Sequence, residues 1–184
     1  MNESSIVAKK KELRKAMFSK RASLKPSLKL DLDNNINQQL FDIITAQKAQ
    51  IIHSYLPMGA EVAIFPLIQK LLDVGITVVC PKTLPKRKLE HRVLKSLDEL
   101  EEGIMKTFHP KEPEVFDGKC DVIIVPGLAY DSNKFRVGYG GGYYDSFLAD
   151  QPHALKVGVF YSFQEVEIVP KEAHDLCLDR IVTA

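Results

Sequence analysis

No stretch of this sequence approaches the about 18 consecutive apolar residues of a membrane-spanning helix, and the opening "MNESSIVAKKKELRK" holds no apolar core of signal-peptide length. A cytoplasmic protein without membrane contact is therefore expected. Cysteine is scarce. Cys80, Cys120 and Cys177 stand far apart, odd in number and without a C-x-x-C pair, so buried, reduced thiols are expected in preference to catalytic ones. An excess of one charge is also missing: 25 Lys and Arg against 24 Asp and Glu leave a net +1. A surface so balanced is not that of a dedicated nucleic-acid binder, and any basic site must be local. The histidines His53, His91, His109, His153 and His174 match no H-E-x-x-H or other zinc spacing. No G-x-S-x-G elbow, internal repeat, linker or low-complexity segment occurs.

What is present fits one compact globular domain over residues 1–184, with 45% hydrophobic and 27% charged residues. Between Lys9 and Lys29 there are nine Lys or Arg and one acid, Glu12. Leu13, Ala16 and Met17 fall at helical spacing there, and "SLKP" (Ser23 to Pro26) separates this helix from a second. In the second, Leu32, Ile36, Leu40, Ile43 and Ile44 form one apolar stripe. Short apolar runs then alternate with helical stretches. Strands are expected over Ala49–Pro57, Ile76–Pro81, "KLEHRVL", Cys120–Gly127, Leu155–Tyr161 and "RIVT", with helices over Ile64–Gly75 and "GYYDSFLAD". "SLDELEEG" reads as an acidic turn and "FHPKEPEVFDG" as a surface loop. The alternation implies an α/β fold of three α/β/α layers, a mostly parallel sheet preceded by two helices.

The most specific stretch is "RVGYGGGYYD", Arg136 to Asp145, which places Gly138, Gly140, Gly141 and Gly142 on the connection leaving the strand "DVIIVPG". Ligands of open parallel sheets gather at the carboxyl ends of the strands. Glycines there let backbone N–H groups converge on an anion, and the next helix adds its positive end. A dinucleotide fingerprint is excluded because its third glycine would fall on Tyr143, and no Gly-Lys-Ser/Thr follows as a Walker loop requires. A phosphate cradle and a purely structural glycine turn both remain open on these residues alone.

The longer segment "VPGLAYDSNKFRVGYGGGYYDSFL" resembles the signature of the 5-formyltetrahydrofolate cyclo-ligase family, in which V-P-G and an aromatic-Asp pair lead into R-x-G-x-G-x-G-Y-Y-D. The similarity extends in family order to "KKELRK", "SYLPMGAEV" and "VPKEAHDLCLDRIVT". Tyr130 stands where phenylalanine is common, and Gly141 is a lysine in some members. The resemblance implies an enzyme, a monomer, that uses ATP and Mg²⁺ to turn 5-formyltetrahydrofolate into 5,10-methenyltetrahydrofolate. It implies ATP contacts from Lys10, Lys11, Glu12, Leu13 and Arg14, and from Arg136, Val137, Gly138, Tyr139, Gly140, Gly141, Gly142, Tyr143 and Tyr144. Arg136, Lys10 and Arg14 would stabilise the transferring phosphoryl group. Leu56 and Glu61, with Tyr139 through Tyr143, would hold the folate, and Asp145 and Asp175 the Mg²⁺. Without the resemblance, Asp145 reads as a helix N-cap and Asp175 as a surface acid. Two other classes stay in view: a single-stranded RNA platform built on the tyrosines and the basic helix, and a sugar-phosphate isomerase using the glycine loop without ATP.

Overall fold

A computed structural model describes residues 3–172 and 175–184. His174, one of the five histidines weighed above, lies outside the described residues, as do Met1, Asn2 and Ala173. The chain opens with α1 (Glu3–Ala22) and α2 (Pro26–Ala46), then β1 (Ile51–His53), α3 (Phe65–Asp73), β2 (Thr77–Leu84) and β3 (Lys88–Leu94). There follow β4 (Leu100–Glu102), β5 (Phe108–Pro110), β6 (Val122–Pro126), β7 (Ala129–Tyr130), β8 (Arg136–Val137), α4 (Tyr143–Ala149), β9 (Leu155–Phe160) and β10 (Arg180–Thr183).

Pro26 opens α2 because its fixed φ suits the first helical turn, where its missing N–H has no acceptor to serve. The stripe expected on α2 is the face that packs: Ile36, Leu40 and Ile44 are wholly buried, and Leu32 and Ile43 lie against the same core. In α3, Leu67, Ile68 and Leu71 do likewise.

The main sheet runs β10-β9-β6-β1-β2-β3, parallel throughout except for β3, which pairs antiparallel with β2 at one edge. β6 shows how both faces are covered. Val122 and Ile124 join the core beneath α2 and α3, whereas Ile123 and Val125 join a second core with Phe147 and Leu148 of α4. Period-two alternation with apolar residues at every position is what burial on both faces demands. The expected α/β class, the mainly parallel sheet and the two leading helices are all found.

Several expectations need correction. Of Ala49–Pro57 only three residues pair as β1. The acidic turn and the surface loop each carry a short strand, β4 and β5, which pair antiparallel, and the signature itself folds back as the β7–β8 ladder. Cys177 is exposed, its Sγ 3.2 Å from the Asn133 carbonyl oxygen. Cys80 and Cys120 are buried as expected. Burial pushes the Cys120 thiol up to about 12 and that of Cys80 further still, so both are protonated and inert.

The consequence for function lies in the strand order. From β1 the chain adds β2 and β3 on one side, then returns to build β6, β9 and β10 on the other. The connections leaving the carboxyl ends of the neighbouring strands β1 and β6 therefore run apart, and a crevice opens between them.

Candidate functional site

A cavity of about 530 Å³ occupies that crevice, lined by the loop after β1, the glycine loop after β8, the β2–β3 and β4–β5 turns, and α1. The glycine loop is shaped by two left-handed residues. Gly140 has φ +98° and Gly142, the residue preceding α4, φ +69°, a region where side chains are strained. A Cβ on Gly140 would stand 3.1 Å from the guanidinium carbon of Arg14, and one on Gly141 would stand 2.6 Å from the Tyr143 ring. Bare backbone is thus needed where the loop passes under α1 and where it turns into α4. Gly142 occupies the N-cap position, so Asp145 lies in the first turn of α4 and is not its cap.

Three basic residues that line the cavity, Lys10, Arg14 and Arg136, are already partnered. Lys10 is buried, and its Nζ lies 2.8 Å from Glu172 Oε2 and 2.5 Å from Asp175 Oδ2. The backbone N–H of Glu172 donates to the same Asp175 oxygen at 2.8 Å. Arg14, four residues along the same helix face, donates from Nε to the Gly138 carbonyl at 2.9 Å. Arg136 is buried, its Nη2 3.0 Å from Asp145 Oδ1 and its Nη1 3.3 Å from the Leu176 carbonyl, while its Nε is buried without any partner. Each of the two aspartates expected to hold a metal is therefore paired with a cation expected to hold phosphate. Among the described residues no three His, Cys, Asp or Glu side chains cluster as a ready-made metal cage. Two carboxylates nonetheless suit Mg²⁺, which completes its shell with water and phosphate oxygens.

The lining also holds apolar and aromatic side chains. Leu56 and Glu61 are both buried in the loop after β1, and Glu61 Oε2 accepts the Met58 N–H at 2.7 Å. Burial raises the Glu61 carboxyl above its ordinary value, opposed by hydrogen bonds from the Tyr139 side chain and the Met58 backbone and by the Arg21 charge. Tyr139 sits at the rim, edge-on to Phe18 with centroids 5.5 Å apart. The Tyr143 hydroxyl donates to the Leu84 carbonyl at 3.4 Å. The Tyr144 hydroxyl is buried without a partner, and its ring stands 6.1 Å from His53.

Of the site expected from sequence, the structure brings Lys10, Arg14, Leu56, Glu61, Arg136 through Tyr144, Asp145 and Asp175 around one cavity. Lys11 and Glu12 face solvent outside it, and Leu13 packs instead beside the cluster around Met17. Sequence reasoning missed Arg21, Arg87, Met105, Phe108 and Glu172. For Arg21 a signal existed, since positions 10, 14, 17 and 21 lie on one helical face. For Met105 and Phe108 none did, because both sit around a turn with no periodic pattern.

Fold and cavity together define an α/β enzyme scaffold whose strand-end crevice combines paired charges with aromatic side chains. The chain matches the model of the 5-formyltetrahydrofolate cyclo-ligase family over residues 6–184 and belongs to that family. The 5-formyltetrahydrofolate cyclo-ligase of Mycoplasma genitalium is 29% identical over 175 residues, covering 94% of this chain and 96% of its own. That of Mycolicibacterium smegmatis is 30% identical over 139 residues, 71% of each chain. Among solved structures, the NMR structure of Aquifex aeolicus 5,10-methenyltetrahydrofolate synthetase superimposes with a TM-score of 0.83 at 32% identity, covering 95% of this chain and 89% of that one. The Mycoplasma pneumoniae 5,10-methenyltetrahydrofolate synthetase gives 0.77 at 26% identity, covering 94% and 97%.

Proposed function

We propose that residues 1–184 act as one catalytic domain that converts 5-formyltetrahydrofolate into 5,10-methenyltetrahydrofolate, using ATP with Mg²⁺ and releasing ADP and phosphate. The observation that carries the reading is the double pairing in the cavity lining, Lys10 with Asp175 and Arg136 with Asp145. A site whose cations and carboxylates neutralise each other suits a ligand carrying both signs, phosphate oxygens for the cations and a divalent metal for the carboxylates. The unpartnered Nε of Arg136 is a further donor without an acceptor.

In this reading Arg136, Lys10, Arg14 and the glycine-loop N–H groups hold the ATP phosphates, and Asp145 and Asp175 hold Mg²⁺, which supplies charge neutralisation at the phosphates. Glu61 and Leu56 hold the folate, with Glu61 accepting hydrogen bonds from ring N–H groups. A formamide oxygen is a poor leaving group, which gives ATP its purpose. The formyl oxygen attacks the γ-phosphorus, an O–P bond forms and the bond to ADP breaks. N10 then adds to the resulting iminium carbon and loses its proton, and the C–O bond breaks to release phosphate. The chain contributes positioning and electrostatics rather than a covalent intermediate of its own.

The test has two parts. The absorbance of the methenyl product should grow only when folate, ATP and Mg²⁺ are all present. With ¹⁸O in the formyl group and ordinary water, the released phosphate should carry one label per turnover. Unlabelled phosphate with normal methenyl formation rules out phosphorylation of the formyl oxygen.

A further inference from the structure

Arg21 ends the basic face of α1 and is buried, only 4% exposed. Its Nε donates to the Ala60 carbonyl at 2.9 Å, one residue before Glu61, and its Nη1 to the Gly127 carbonyl at 3.4 Å, in the loop leaving β6. The guanidinium carbon stands 5.9 Å from the centroid of the Tyr139 ring, within cation–π reach. One planar fork thus ties α1 to three connections that form the cavity: the loop after β1, the loop after β6 and the glycine loop. Arginine suits this role because its donors are fixed in a plane and its charge is permanent.

We infer that Arg21 is a positioning residue for the folate, holding the Ala60 backbone and Tyr139 around Glu61 and balancing the charge of that carboxylate. The inference rests on the reading of Glu61 as the folate's acceptor. Arg21 does not line the 530 Å³ cavity itself, so it acts through Glu61 and Tyr139.

Titratable groups on several elements feel the charge of Glu61 or act on it. Tyr55 comes from the loop after β1, Tyr139 from the glycine loop, Tyr144 from α4, Tyr161 from the end of β9 and Arg21 from α1. Burial is the main cause that pushes all four of these tyrosines up, so they remain neutral at physiological pH and Arg21 is the cation among these groups. Glu61 is itself held above the ordinary carboxyl value, first by burial. Removing Arg21 raises it further, because a favourable neighbour of the charged form is lost. The carboxylate accepts ring N–H donors and the protonated acid does so less well. Folate KM therefore climbs as pH falls through the Glu61 pKa, and without Arg21 the climb begins at a higher pH.

The experiment compares wild type, Arg21→Met, Arg21→Lys, Glu61→Gln and the Arg21→Met/Glu61→Gln double variant. KM for 5-formyltetrahydrofolate and for ATP is measured from about pH 6 to about pH 8.5. Arg21→Met should raise folate KM about tenfold and ATP KM less than about threefold, with the acid limb of the folate profile moved upward in pH. Arg21→Lys should restore the position of the acid limb, since the charge returns, while leaving folate KM above wild type because the fork is lost. In the Glu61→Gln background Arg21→Met should no longer move the profile. Equal rises in both KM values with an unmoved profile mark a structural tie only and overturn the inference. Should Arg21→Met fail to fold, Arg21→Lys decides alone: a folate-selective rise supports the inference, and equal rises defeat it. A wild-type chain that forms no methenyl product overturns the functional reading and this inference together. An active wild type whose Arg21 variants keep a normal folate KM overturns the inference alone.

Discussion

Replacing Asp145 by asparagine should push two measurable quantities in opposite directions. Asp145 Oδ1 lies 3.0 Å from Arg136 Nη2, and the arginine side chain is 3% exposed against 26% for the aspartate. Asparagine keeps the shape and one acceptor oxygen and loses the charge, so a charge-assisted hydrogen bond becomes an ordinary one. The difference is about 1.5 kcal/mol. For a chain of 184 residues this lowers Tm by about 4 °C, from an unfolding entropy of about 2.1 cal/mol/K per residue. Arg136, no longer held by a carboxylate, is freer for phosphate. ATP without metal should then bind up to about tenfold tighter to the variant than to wild type. With Mg²⁺ present the proposed role of Asp145 reverses the sign: the metal would lose a ligand, so affinity for Mg-ATP and turnover should both fall. Calorimetric titration with ATP in EDTA and again in Mg²⁺, beside a thermal melt, reads all three. A variant that binds metal-free ATP no tighter than wild type refutes the reasoning, because Arg136 and Asp145 then do not exchange partners when the nucleotide enters.

Arg14→Ala should raise ATP KM about tenfold and folate KM far less, and with Lys10→Ala the two effects should sum to less than additivity if both grip one phosphate chain; equal effects on the two substrates count against both roles. Stability should also fall in mild acid. His53 is fully buried with Nδ1 unpartnered and Nε2 3.1 Å from His91 Nδ1; burial first, then His91, holds it well below the ordinary histidine value, and burial lowers His91 too. The unfolded chain binds protons at these histidines below about pH 6.5 while the folded one resists them, so stability is complete above that pH and declines beneath it, by up to about 1.4 kcal/mol per pH unit for each histidine. His91→Phe, which keeps a ring on Phe147, should flatten the decline in Tm between about pH 7 and about pH 5, and an unaltered slope would contradict the assignment.

The elements legible in the sequence are those whose apolar period repeats long enough to be counted. Ile36, Leu40 and Ile44 mark α2, and the unbroken run Val122–Val125 marks a strand buried on both faces. The ladders β4–β5 and β7–β8 involve two or three residues per strand, too few for a period to register. β3 reads as a strand, but its antiparallel direction is set by the short Pro85–Arg87 turn, which leaves no room for a crossover.

The site divides along a similar line. Arg136, the glycines and Asp145 fall within ten residues, so a local reading finds them together, and the Arg136–Asp145 pair spans only nine positions. Lys10 reaches Asp175 across 165 positions, and no local rule predicts that meeting. What brings them together is the docking of α1, which periodicity reads poorly because its inner face is mostly charged. Among its described side chains the buried ones are Lys10, Met17 and Arg21, and of these only Met17 is apolar, packed with Leu128, Ala129, Val137 and Val169. The positions are spaced by seven and four, a regular helical stripe once basic residues are allowed to count as interior. They can be interior because carboxylates and strand-end carbonyls meet them there: Glu172 and Asp175 for Lys10, Ala60 and Gly127 for Arg21. A helix held by Met17, the half-buried Leu13 and a row of cations is, on the proposed function, held partly by contacts that a phosphate ligand would compete for. On the proposed function, part of the grip of α1 on the sheet would therefore be exchanged, and not added, on nucleotide binding.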